Sequence, residues 1–379
     1  MKSKKKRDML AELEKERLLN PERIKEKKKK KRRKMAFMIL LEAAILVVMV
    51  CILFQIIRAI GKNSLLGKAQ AAPQLAPVIA SEPLSKEEEG KWQAGWVKYK
   101  DKIYAYNEDI MTFLIMGIDK NSDAREVKEG TNGGQADALF LAVMNPHDKS
   151  IKVVGINRNT MTDIDIYNEE GAYVNTVTAQ IAVQHGFGNG MEESCEYQKK
   201  AIQKLFYNLP IHGYAAVNMS AIPAVNDAVG GVDVTVLEDL TKKDKNLKEG
   251  ENVHLTGESA YWYIKYRDKD IFGSADMRLA RQKQYLTAFI DTAKKAVKNN
   301  LSIALDLYRN ISAQMVTDIS PDEVSYLAPV LVDYSFESDS FRMPEGETTM
   351  GEQFEEFWVD EENLYELIID VFYEEVITD

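Results

Sequence analysis

A chain of 379 residues with two cysteines and four histidines leaves little room for several common chemistries. Cys51 lies inside a long apolar run and Cys195 stands alone beyond it, so no internal disulfide and no Cys-ligated metal site is on offer. His147, His185, His212 and His254 show no metal-ligand spacing. No Ser-His-Asp or Cys-His arrangement and no Gly-rich Walker loop appears, which leaves covalent catalysis without an obvious nucleophile. Positive charge almost vanishes from residues 318–379, where Arg342 is the one base against 19 acids. Internal repeats are absent as well.

What is there is strongly partitioned. The formal net charge is −10, yet residues 1–34 carry 17 Lys+Arg against 6 Asp+Glu, and the middle of the chain is nearly neutral. Met35 to Ile57, MAFMILLEAAILVVMVCILFQII, holds one acid (Glu42) and no base over 23 residues. At about 1.5 Å per residue it covers about 34 Å, enough for the hydrocarbon layer of a bilayer and too long for a signal-peptide core. KKKKKRRK, Lys27 to Lys34, abuts this run, with only Arg58, Lys62 and Lys68 just beyond it. The positive-inside rule then places the N-terminus in the cytoplasm and the large remainder outside, a single-pass protein of the cell membrane. The basic tail mixes Lys with Glu and almost lacks aromatics, which suits an anchor on anionic lipid and argues against nucleic acid as a partner.

These features divide the chain into a basic cytoplasmic tail (1–34), a transmembrane helix (35–57), a stalk or linker (58–95), an extracytoplasmic domain (96–297) and an acidic C-terminal helical extension (298–379). The extension reads as a structural cover or partner surface. KEEEGKWQAGWVKYKDKIYAYNE reads as a charged helix leading into the domain. TFLIMGID (112–119), DALFLAVMNP (137–146) and SIKVVGINRNT (150–160) read as strands, the last two a hairpin. Helical patterns follow at 176–186 and 194–209, then the strand GYAAVNM, the helix SAIPAVNDAV and the strand VDVTVLE. Thr256 caps the helix TGESAYWYIKYR, and a long helix runs from Ser274 to about 297. SPDE, Ser320 to Glu323, is a capping box with proline at the first helical position. Continuous apolar strands alternating with helices predict an α/β (α+β) fold, a mixed central sheet sandwiched by helices.

Three clusters carry possible chemistry. Asp119 and Asp137 sit at strand ends flanking a polar, Gly-containing loop, a setting that suits Mg²⁺ or mere strand-end solvation. Arg158 interrupts an apolar strand end in GINRNTMTDIDIY, where a guanidinium needs a phosphate or a carboxylate such as Asp163 or Asp165. In YRDKDIFGSADMRLARQKQY, Arg278, Arg281, Gln282 and Tyr285 share one face of a helix whose N-terminal end already bears the positive pole. With Arg267 just upstream, they are either a solvated stripe or a site for an anion. Arginines, metal-capable aspartates and an anchor together fit a lipid-linked diphosphate, whose transfer asks for positioning and charge neutralisation.

From about Phe113 to Ala293 the sequence resembles the LytR–CpsA–Psr family of cell-envelope phosphotransferases. The likeness rests on LIMGID, on ADALFLAVMNPHDKSIKVVGINRNTM, on NMSAIPAVNDAVGGVDVTV and on LTGESAYWYIKYRDKDIFGSADMRLARQKQYL. It implies transfer of an anionic glycopolymer, such as teichoic acid or capsule, from undecaprenyl diphosphate to a peptidoglycan sugar hydroxyl. It further implies Mg²⁺ on Asp119 and Asp137, a diphosphate held by Arg158, Arg267, Arg278, Arg281 and Gln282, and an apolar tunnel for the polyprenyl chain. Arg158, Asp276 and Arg278 are the expected catalytic residues. The sequence departs from the family pattern at Gln135, where an arginine is usual, and at Asn159 and Ala275, where aspartates are usual. Those departures keep open an alternative, a non-catalytic envelope protein that binds polyprenyl lipid or glycopolymer as scaffold or regulator.

Overall fold

In a computed structural model the described residues are 29–30, 49, 51–68, 90–127, 133–168, 170–268, 271 and 274–376. The chain forms two compact units, Met1–Arg58 and Ala59–Asp379. Most of the expected span Met35–Ile57 lies outside the described residues. Among them, 51–58 are helical, and no helix is long and apolar enough to cross a membrane.

The second unit is built on a mixed sheet. β3 (Met111–Ile118), β4 (Ala136–Asn145) and β5 (Ser150–Ile156) form an antiparallel meander. β8 (Gly213–Asn218) adds parallel to β3 and β11 (Met315–Thr317) antiparallel to β8, while β12 (Phe341–Arg342) adds parallel to β5. The order is therefore β11-β8-β3-β4-β5-β12. Both faces are covered, as the continuous apolar strands require. One face packs Leu114, Met116 and Leu141 against α1 (Glu192–Leu205) and α7 (Glu361–Phe372). The other packs Phe113, Phe140 and Val153 against α4 (Ser274–Asn299) and α6 (Pro321–Asp333). A smaller cluster joins β9 (Val232–Thr235), β10 (Asn252–Leu255), α3 (Gly257–Lys265) and the far side of α4.

Several segments differ from the sequence reading. The stretch expected as a charged helix forms instead a hairpin of β1 (Val97–Tyr99) and β2 (Lys102–Tyr106), with Lys100 and Asp101 at φ 48° and 62° in its turn. The helical pattern at 176–186 is β7 (Tyr173–Gln180), paired with β6 (Met161–Tyr167), followed by a 3₁₀ turn over Ile181–Phe187. Alternating Val and Thr side chains favour the strand there. Residues 298–376 are woven into the body rather than appended to it: they supply β11 and β12 to the sheet, α7 to the core and β15 (Tyr373–Glu375) to β2. Nor does the chain beyond residue 58 begin as a free stalk. Residues 59–67 are helical, Leu65 is fully buried, and Ser64 and Lys68 bind the carboxylate of Glu323 at 2.7 and 3.0 Å. Gly61 permits this docking, since a Cβ there would meet the Asp322 carbonyl oxygen at 2.4 Å. The Ser320–Glu323 capping box is formed at the start of α6.

Candidate functional site

The C-terminal end of β3 and the start of β4 set the geometry. A bulge at Gly117/Ile118 shifts the register so that Ile118 pairs with Ala136, and the Asp119 amide donates to the Gln135 carbonyl at 3.0 Å. Bulges of this kind re-aim side chains at strand ends. Asp137, 8 % exposed, stands there as the counter-ion of two arginines. Arg158, two residues past β5, brings Nη1 to 2.7 Å from Asp137 Oδ1, and Arg278 on α4 brings Nη1 to 3.3 Å from Oδ2. Arg158 also donates from Nη2 to Gln135 Oε1 at 2.5 Å, so the amide that replaces the family's usual arginine orients a neighbouring one.

Arg278 is buried, and burial pushes its guanidinium pKa down to about 10. Asp137 works against that shift, while Arg158 and Arg267 reinforce it. Arg267 lies in the segment after α3, with Nη1 3.9 Å from Glu355 Oε2. Among the described residues, three guanidiniums thus face two carboxylates, a formal excess of one positive charge. Arg158 and Arg267 open onto a cavity of about 260 Å³, shared with Asn159, Gln180 and Ser274. Its far wall is the hairpin of β13 (Gly346–Met350) and β14 (Glu355–Val359), which contributes Met350, Gln353, Phe354 and Glu355. Two atoms here are buried without a hydrogen-bond partner, Arg158 Nε and Asp137 Oδ1, whose contact with Arg158 is a charge contact out of hydrogen-bond alignment. A donor and an acceptor left open in a cationic cleft are what a phosphate and a metal ion would respectively engage.

The remaining expected site residues have other settings. Asp119 is half exposed, and its Oδ1 lies 3.3 Å from Lys265 Nζ, which also donates to Asn121 and to the Tyr261 hydroxyl. Arg281 does not join the cleft. It is 1 % exposed, with Nη1 and Nη2 donating to the carbonyls of Tyr263 and Tyr266 and Nε 2.6 Å from Glu238 Oε1. Gln282 is buried and donates to the Ile264 carbonyl at 3.4 Å, bracing the end of α3. Asp276, the third residue of α4, has its carboxyl raised above the ordinary range by burial and by the charge of Glu355. Asn159 is buried, with its side-chain oxygen accepting from Gln180 at 3.1 Å, so it is a structural link rather than a proton carrier. Sequence reasoning missed the hairpin entirely; the one signal for it is the strand-favouring Phe-Trp-Val run that follows a turn carrying Gly351.

Farther along α4 the chemistry changes. Leu286, Ile290 and Val297 line a wholly apolar cavity of about 460 Å³, closed by Phe140 and Val153 of the sheet and by Leu327 of α6. Eight residues separate Arg278 from Leu286, about 12 Å along the helix axis. One helix therefore carries a cationic cleft at its start and an apolar chamber beyond it.

Comparison with known proteins agrees with this arrangement. The model described as the LytR_cpsA_psr family matches residues 80–365. A Bacillus cereus protein named polyisoprenyl-teichoic acid–peptidoglycan teichoic acid transferase TagU is 30 % identical over 228 residues, 60 % of this chain and 66 % of that protein. The match thus spans slightly less than two thirds of that relative. Among solved structures, Bacillus subtilis TagV superimposes with a TM-score of 0.52 at 25 % identity, over 70 % of this chain and 96 % of that one. A TagT chain bound to LI-WTA gives a TM-score of 0.52 at 20 % identity, over 69 % and 89 %.

Proposed function

Because the chain belongs to the LytR_cpsA_psr family, we propose that it is a membrane-anchored phosphotransferase that moves an anionic glycopolymer from undecaprenyl diphosphate to a peptidoglycan sugar hydroxyl. The observation that carries this reading is the order of surfaces along α4: an open-donor arginine cleft, then an apolar chamber about 12 Å on. A polyprenyl diphosphate has the same order, two phosphates followed by a hydrocarbon chain. Arg158, Arg267 and Arg278 bind the diphosphate; Arg278, desolvated and forced beside two like charges, gains most from an incoming anion. Arg281 and Gln282 hold α3 against α4 and act on the site only through that packing.

Asp119 and Asp137 suit Mg²⁺, since one or two carboxylates completed by water and diphosphate oxygens are a donor set that this ion takes. Asp137 Oδ1 lacks a hydrogen-bond partner and the Asp119 carboxylate is accessible, which fits that role. Bound Mg²⁺ supplies neutralisation of the diphosphate charge. The arginines orient the reacting phosphorus and stabilise the charge that builds on the leaving lipid phosphate.

The anchor belongs to the same reading. Ile52, Leu53 and Ile56 are at least 50 % exposed, an apolar surface that a bilayer would cover. The segment directly after them, 59–68, docks on α6, the helix whose Leu327 closes the apolar chamber.

The test uses the full-length chain in detergent with Mg²⁺. Geranylgeranyl diphosphate should bind, and a lipid-diphosphate-linked glycan should be transferred to peptidoglycan oligosaccharides. Tight binding with no transfer makes the protein a scaffold that holds the lipid. Absence of binding ends both readings.

A further inference from the structure

We propose that the cavity between the arginines and the β13–β14 hairpin is the subsite for the acceptor sugar, with Phe354 as its stacking platform and Asn159 as its inner hydrogen-bond donor. The inference rests on the phosphotransferase reading and deepens it by placing the second substrate. Displacement at phosphorus keeps the attacking and leaving oxygens roughly in line. The leaving oxygen belongs to the lipid phosphate, whose hydrocarbon chain runs toward the chamber that Leu286 lines. The attacking hydroxyl must then arrive from the opposite side of the phosphorus, while the donor's own sugar hangs to the side of that line. α4 gives the direction. Ser274, which lines the cavity, precedes Arg278 by four residues, about 6 Å of axis, whereas Leu286 follows it by eight. Cavity, arginine cleft and chamber are therefore strung along one helix in the order that an in-line transfer needs.

The wall facing the arginines has the chemistry of a sugar site rather than of a phosphate site. Beyond Arg158 and Arg267, the cavity is lined by the amides of Asn159 and Gln353 and by the apolar Met350 and Phe354. Asn159 is 5 % exposed, and one bond orients its side chain: Oδ1 accepts from Gln180 Nε2 at 3.1 Å. Nδ2 therefore turns away from Gln180, and it makes no hydrogen bond among the described residues. A buried donor left without a partner is costly, and a sugar oxygen entering the cavity would meet it. Phe354 is 47 % exposed, next to Gln353, whose amide is likewise unbonded among the described residues. The electron-rich face of an aromatic ring attracts weakly positive C–H bonds, which the face of a pyranose supplies and a phosphate does not. At about 30 Å³ per water, the cavity of about 260 Å³ equals roughly nine waters, room for one sugar ring rather than a length of glycan.

The platform is also held in register with the cleft. The Phe357 amide donates to the Asn159 carbonyl at 2.9 Å, and Gln180 Nε2 donates to the Glu355 carbonyl at 2.8 Å. These main-chain bonds pin the hairpin to the residue that follows Arg158. A stacking ring and a phosphate-binding arginine on one frame fix the acceptor relative to the phosphorus, which is where positioning gains rate.

The test uses the full-length chain in detergent with Mg²⁺, a lipid-diphosphate-linked glycan as donor and a peptidoglycan disaccharide as acceptor. Phe354→Ala should raise the acceptor KM by about 10-fold, the worth of an aromatic contact. The donor KM, kcat at saturating acceptor and the Kd of geranylgeranyl diphosphate should stay within about 3-fold of wild type. Phe354→Trp should restore the acceptor KM, and Gln353→Ala should raise it by about 3-fold. Saturation-transfer NMR, which needs no turnover, should detect the disaccharide on wild type and lose it on Phe354→Ala. An unchanged acceptor KM in Phe354→Ala overturns the assignment. A raised donor KM in its place gives the cavity to the donor glycan and overturns it equally. If the disaccharide binds through Phe354 but nothing is transferred, the phosphotransferase reading falls and the sugar subsite stands. If transfer proceeds with no dependence on Phe354, the reading stands and the subsite falls.

Discussion

Arg278 and Arg281 lie one turn apart on the same helix, both nearly inaccessible, yet their surroundings assign them opposite tasks. Arg281 enters a socket where two backbone carbonyls accept from its Nη atoms and Glu238 lies 2.6 Å from Nε as its own counter-ion. Arg278 shares one carboxylate with Arg158 and has a third guanidinium close enough to depress its own basicity. Burial alone therefore does not mark a functional arginine. The balance of charge around it separates the two: Arg281 has a carboxylate of its own, whereas Arg158 and Arg278 share one, an imbalance that the proposed diphosphate would relieve.

That contrast is open to direct test, beginning with the socket. Arg281→Met should cost about 3–5 kcal/mol, because Glu238 and two carbonyls lose their partner, and should lower Tm by about 10 °C in a thermal melt. A Tm within about 2 °C of wild type would show that the socket contributes no scaffold role. On the cleft side, Arg278→Ala should weaken geranylgeranyl diphosphate binding by about 10–100-fold, the worth of a charge-assisted bond, as read by calorimetry. Its Tm should fall less than that of Arg281→Met, since Asp137 keeps Arg158. Arg158→Gln should lose a similar factor in affinity with little change in stability, because it removes one of the mutually repelling cations. The pH profile sharpens the contrast further. Binding needs Arg278 charged, and its pKa is pushed down to about 10, so affinity should hold through neutral pH and fall as pH rises through about 10. The fall should be absent from Arg278→Ala. The smallest effect belongs to Lys265→Ala, which breaks a half-exposed pair with Asp119. It should change stability by less than about 1 kcal/mol and tighten Mg²⁺ binding modestly by freeing that carboxylate.

The sheet was legible because its strands are unambiguous. TFLIMGID and DALFLAVMNP are apolar runs of strand length, and they match β3 and β4 within a residue or two at each end. Long α4 announced itself by periodicity, and α6 by its capping box. The β1–β2 hairpin was hidden by its Lys and Glu neighbours, since a turn that seats Lys100 and Asp101 at positive φ has no glycine to betray it. At the site, Asp137, Arg158, Arg267 and Arg278 converge because strand ends and a helix start meet there. Helical spacing grouped Arg281 with Arg278, but positions three apart differ by about 60° around the axis. That rotation sends one side chain to the end of the sheet and the other to the carbonyls behind α3. Glu355, which faces Arg267 in the cavity wall, was invisible because the acidic C-terminal stretch offers many carboxylates and no local pattern that ranks them; only tertiary placement brings it there.

The pairing of β12 with β5 and of β15 with β2 also makes folding depend on the order of synthesis. The β3–β4–β5 meander can form early from local contacts, while one border of the sheet stays bare until Phe341 and Arg342 emerge. A nascent or truncated copy lacking that last portion exposes a ready template for strand addition by another chain. Arrival of these late strands, rather than any event at the cleft, is therefore what closes that border.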